Sequence, residues 1–173
     1  MYWSKALSFI TILVFSFSWV CTFAWAFSVS STSSSPNIEK RKSILTTILD
    51  YHTSHFVYKS LAVIIDKNLI EPRGKIQWPR ITLSSRVLRD GEFTKLFVHE
   101  LAHYVDLYFF TPIWWKDRSD DFYTISWKDT TVKRSSEWLS AFVSGYAATN
   151  KYEDFAESFT FFIFHNSYFA ERA

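Results

Sequence analysis

The residues His99-Glu100-Leu101-Ala102-His103 read His-Glu-x-x-His. Residues four apart on a helix lie one above the other, so both imidazoles can reach a single metal ion. Glu100 is turned about 100° from His99, which sets its carboxylate beside the metal's open position. There it can take a proton from the water that the metal activates. A catalytic zinc site takes three protein ligands, so a third must come from elsewhere. A histidine six residues after His103 would complete one form of such a site, but that position is Phe109. The downstream candidates are His165 and the carboxylates of Tyr152-Glu153-Asp154-Phe155-Ala156-Glu157. Glu153 and Glu157 are four apart and share a helix face, so one can bind metal while the other orients a ligand. Glu153 also falls three residues after Asn150, the spacing of a capping box, and ligand and cap stand as alternatives for it. Asp106 lies on the face of both histidines. It either holds the free N–H of a ligand histidine or pairs with a nearby Lys or Arg. His52 and His55 read as helix-end or loop residues, and His165 as a residue suited to the negative end of a helix. Trp114-Trp115, Phe161-Phe162 and Phe164 read as packing.

The elements that must position these groups follow from periodicity. Ile38–Tyr51 places Ile44, Leu45, Ile48 and Leu49 at helical spacing, with Ser35 or Asn37 near the cap. The β-branched run Leu61–Ile65 predicts a buried strand. Lys75–Leu83 alternates around Pro79, which predicts an edge strand or a bulged one. Asp90-Gly91 breaks the chain before a long helix, Glu92–Phe109, which Pro112 ends. Lys116–Asp121 reads as a charged loop and Phe122–Trp127 as a further strand. Ser135 or Ser136 opens a short helix through Ala141 that Gly145 closes, and Asn150 caps a last helix from Lys151 to about His165. The order is α+β: a small mixed sheet with the long histidine helix and the last helix covering it.

Composition narrows the function classes. Of 173 residues, 48% are hydrophobic and 20% aromatic, enough for a packed core and against disorder. With 19 basic and 17 acidic residues the net charge is +2, too balanced for nucleic-acid binding by counterion release. One cysteine, Cys21, excludes a disulfide framework and a cysteine-rich zinc site. Residues 1–26 combine Lys5, an apolar run and Ala24-Trp25-Ala26, which reads as a signal peptide cleaved after Ala26. The apolar run is also long enough to serve as an uncleaved membrane anchor. In both cases the remainder is extracytoplasmic, secreted or tethered. Residues 27–36, Ser-rich, read as a linker, leaving 37–173 as one domain.

Ser144-Gly145-Tyr146-Ala147-Ala148-Thr149-Asn150 leads into Glu153-Asp154-Phe155-Ala156-Glu157, fifty residues after the His-Glu-x-x-His motif. This double motif resembles the catalytic domain of anthrax lethal factor and the related Pro-Pro endopeptidases, zinc metallopeptidases of the gluzincin type. The similarity covers roughly residues 81–162, and Ala102 stands where the family usually carries small residues such as Gly, a place that Ala fits. The resemblance implies a zincin-like metallopeptidase fold, with His99, His103 and Glu153 as zinc ligands and Glu100 as general base. It further implies that Tyr146 donates to the oxyanion and that Glu157 supports the ligands from behind. The expected activity is hydrolysis of peptide bonds in a peptide or protein substrate, and the strand before the histidine helix is expected to pair with it. The alternative is a non-catalytic extracytoplasmic binding module with a structural or vestigial zinc site.

Overall fold

The computed structural model describes residues 28–53, 61–86, 89–109, 119–134 and 141–167. The leader with Cys21, His55, Pro112, Trp114-Trp115 and the start of the short helix expected at 135–141 lie outside these, as does the side chain of His52. The chain divides into two compact units, one ending at Glu100 and one beginning at Leu101. Among the described residues, no helix is long and apolar enough to cross a membrane.

The first unit is built on a four-stranded sheet. Its strands are β1 (Ser28–Ser31), β2 (Ala62–Asp66), β3 (Gly74–Gln77) and β4 (Arg80–Ser84), in the order β1-β2-β4-β3. The β-branched run forms β2 as expected, with Val63 and Ile65 fully buried. They stand in parallel register with the equally buried Ile81 and Leu83 of β4, so one apolar layer crosses both strands. Lys75–Leu83 is two strands rather than one. Trp78-Pro79 makes a two-residue turn, and Gln77 pairs antiparallel with Arg80. Proline has no N–H for a ladder, whereas the Pro79 carbonyl is used, accepting from Ala62 N–H at 2.9 Å. The edge falls on β3, and β4 becomes interior.

The Ser-rich stretch is not a free linker. Ser28–Ser31 lies parallel beside β2, with Ser28 N–H donating to Leu61 at 3.1 Å and Thr32 N–H to Ile65 at 3.0 Å. Edge pairing draws only on backbone groups, so an unremarkable polar sequence suffices. Helix α1 (Pro36–Thr53) follows at once. Ser35 Oγ accepts the Ile38 N–H at 3.3 Å, and Pro36 occupies the first turn, where its missing donor costs nothing. Leu45 and Leu49 are fully buried, and Arg41 joins their stripe. Its guanidinium donates to the Ser85 carbonyl at 2.9 Å and lies 4.8 Å over the Phe93 ring. Arg41 and Lys40 also meet Asp90 at the start of helix α2 (Asp90–Phe109). The Lys40 hydrogen bond holds the Asp90 carboxyl below its ordinary range.

The second unit packs three helical pieces: the later turns of α2, α3 (Ser119–Ser126) and α4 (Lys151–Phe164). The strand expected at Phe122–Trp127 is α3, and only Trp127 enters a β-bridge, with Lys133. Ser119, Phe122 and Tyr123 are its buried residues, a spacing of three and four that follows a helix; so short an aromatic run fits either period. The charged loop expected at 116–121 is likewise helical from Ser119. Phe122 meets Phe155 of α4 edge-on at 5.4 Å. Trp127, Phe142, Ala147 and Ala148 form a separate small core. His165 ends α4 as expected, its N–H donating to Phe161 at 2.8 Å and its ring 4.5 Å from the Phe161 ring.

Candidate metal centre

Helix α2 is continuous through residues 99–103, so His99 and His103 project one turn apart from the same rod. Glu153 arrives from the first turn of α4. Its position is fixed by Asn150, whose Oδ1 accepts the N–H groups of Tyr152 and Glu153, both at 3.0 Å. The cap therefore acts on the Glu153 backbone. Its carboxylate lies 3.2 Å, Oε2 to Nε2, from His103. His99, His103 and Glu153 each place one donor atom within 4.8 Å of the others, a group that could hold a metal ion.

The spacing suits a single small cation. Metal–ligand bonds of about 2.0–2.2 Å in a tetrahedron put neighbouring donors about 3.3–3.6 Å apart, close to the His103–Glu153 distance. The set is nitrogen, nitrogen and oxygen, largely shielded: His99 is buried, and the side chains of His103 and Glu153 are 13% and 18% exposed. Two neutral imidazoles and one carboxylate leave a divalent ion with a net charge near +1.

Groups around this set hold its elements. Glu100 is buried beside its two histidines. It packs against Gly74 so closely that a Cβ on that residue would lie 2.1 Å from Glu100 Oε1. Asp106, also buried, accepts hydrogen bonds from the hydroxyls of Ser119 and Tyr123, fastening α2 to α3. Glu157, one turn beyond Glu153, accepts from Ser144 Oγ at 2.6 Å, and that oxygen accepts the Ala147 N–H at 3.0 Å. The Tyr146 carbonyl accepts both the N–H and the hydroxyl of Thr149, at 3.0 and 2.7 Å. The turn bearing Tyr146 is thus pinned on both sides while its side chain stands 55% exposed. Asp154 turns away from Glu153 to the Trp127 indole N–H at 2.9 Å and to Ser158. Burial pushes its carboxyl up to about 7, against the opposing pull of those two hydrogen bonds.

Of the candidate third ligands, the structure brings Glu153 to the histidines, and His165 is outside the group. Sequence reasoning missed Gly74, Ser144 and the two hydroxyls on Asp106. Gly74 left a signal, since an isolated glycine opening a strand pattern marks a close backbone approach. The hydroxyl partners left none. Compared with known proteins, the chain matches no family model, no curated protein and no solved structure.

Proposed function

We propose that this chain is a zinc metallopeptidase of zincin-like architecture, exported from the cytoplasm and acting on a peptide or protein substrate. One observation carries the reading: a glutamate fifty residues downstream sets its carboxylate 3.2 Å from His103, and the donor atoms of His99, His103 and Glu153 lie within 4.8 Å of one another. His99, His103 and Glu153 hold the ion. Bound zinc supplies a Lewis acid that polarises a carbonyl and lowers the pKa of water towards about 7. Glu100 accepts the proton from the attacking water and returns it to the leaving amine, a task suited to a buried carboxylate beside the ligands. Tyr146 donates its phenolic hydrogen to the developing oxyanion, and its exposure leaves the ring accessible to substrate. Glu157 steadies that turn through Ser144. An extended substrate adds to β3, an end strand of the sheet among the described residues and the strand on which Glu100 rests. Export rests on the leader pattern of residues 1–26, in which Lys5, an apolar run and Ala24-Trp25-Ala26 follow one another.

The test is Glu100→Gln in zinc-loaded protein. Zinc content stays at that of the wild type, while cleavage of a peptide library falls by about three orders of magnitude or more. A Glu100→Gln protein that cleaves as fast as wild type overturns the assignment.

A further inference from the structure

Glu100 is the most constrained of the site residues, because its carboxylate must lie beside the metal without binding it. Its neighbour on the sheet is Gly74, the first residue of β3 and buried. Gly74 pairs with Leu83, and Ile76 pairs with Ile81. Positions 74 and 76 therefore share the inner face of the edge strand, while Lys75 and Gln77 are exposed. A Cβ at position 74 would stand 2.1 Å from Oε1, 2.6 Å from Cδ and 2.7 Å from Cγ of Glu100. The overlap extends to Cγ, so a rotation of the carboxylate alone does not relieve it. The whole side chain must take another rotamer in a buried place, or the strand must move.

We propose that Gly74 is a positioning residue for Glu100: the missing side chain leaves a seat on the edge strand that fixes where the general base points. Every other amino acid at position 74 would fill that seat. The role given to Glu100 rests on the peptidase reading, but the seat itself does not. A residue that seats the base by absence is invisible to a search for polar groups, and it constrains the site as firmly as a hydrogen bond would.

The experiment is a double-mutant cycle on the full chain, read by urea unfolding after chelation. Gly74→Ala is made in the wild type, in Glu100→Gln and in Glu100→Ala. The expected result is a lowered midpoint with Glu or Gln at position 100, since the two are the same size. With Ala at position 100 the midpoint is unchanged or raised, because the new methyl enters vacated space. The same midpoint change in all three backgrounds, or none in any, overturns the proposal. In zinc-loaded protein, Gly74→Ala is expected to keep the zinc and lower kcat on the order of 100-fold at unchanged KM, the scale set by misplacing a reacting group by about 1 Å. Coupling in the cycle with no peptide cleavage by wild type would leave the seat standing and sink the peptidase reading. Additive stabilities beside a cleavage that Glu100→Gln abolishes would do the reverse.

Discussion

Asp154 offers a sharp test of the packing around the site. Its carboxylate is buried against Trp127 and Ser158, and burial lifts its pKa from 3.8 to about 7. The folded chain therefore holds the proton where the unfolded chain has lost it. Below about pH 3 both states are protonated and Asp154 carries no penalty. As pH rises from there the unfolded state ionises first, and stability falls until the folded group ionises near 7. At about 1.4 kcal/mol per pH unit, the loss reaches about 4 kcal/mol. Asn at this position keeps an acceptor for the Trp127 indole and never ionises. Asp154→Asn is thus expected to match wild type near pH 3 and to exceed it by about 4 kcal/mol at pH 8, a shift of about 2 M in a urea midpoint. The measurement is made on chelated protein, because a nearby cation would pull the carboxyl down. A gap that stays constant from pH 4 to 8 would refute the reasoning, since only an ionisation present in one of the two chains produces a slope.

Two further outcomes follow. Glu153→Ala is expected to weaken zinc binding at least 100-fold by competition with a chromophoric chelator, the removal of one of three ligands exceeding the effect of losing an outer partner, while His165→Ala leaves it unchanged; the opposite pattern would move the third ligand to His165. Asp106→Ala strands two buried hydroxyls and is expected to cost about 3 kcal/mol in urea unfolding, with Asp106→Asn costing less because one acceptor survives; equal losses would place the effect in packing and not in hydrogen bonding.

The two long site helices were legible because local signals and burial agree along them. The apolar run from Glu92 becomes α2, although Asp90-Gly91, expected to break the chain, forms its first turn, and Asn150 caps α4 as its sequence implies. The choice between ligand and cap at Glu153 dissolves once backbone and side chain are separated, because the N–H takes the cap while the carboxylate meets His103. What could not be read depends on partners distant in sequence. Ser28–Ser31 carries no strand pattern of its own and is a strand only because β2 offers an edge. Phe122-Tyr123 suits a strand or a helix, and the Phe155 ring and Asp106 carboxylate receive it as a helix. Pro79 points to an edge or bulged strand over Lys75–Leu83, whereas it sits in a turn between two strands, because Arg80–Ser84 has β2 to pair with on its other side.

Glu153 and Asp154 show how far residue type alone falls short of assigning a role. Both are carboxylates in the first turn of the same helix, where the dipole favours negative charge equally. A step of about 100° around the axis separates them. One direction leads to an imidazole nitrogen at 3.2 Å with partial access to solvent, and the other to an indole and a serine in a closed apolar setting. An anionic ligand needs the first environment, because it must stay ionised to bind a cation. The second favours the neutral acid at moderate pH and makes Asp154 a hydrogen-bonded strut. Glu157 and Ser158 repeat the division one turn later, Glu157 reaching the Tyr146 turn through Ser144 and Ser158 joining Asp154. The helix thus carries two stripes side by side, one of carboxylates facing His103 and Ser144 and one tied to Trp127, and the stripe on which a carboxylate falls decides its surroundings.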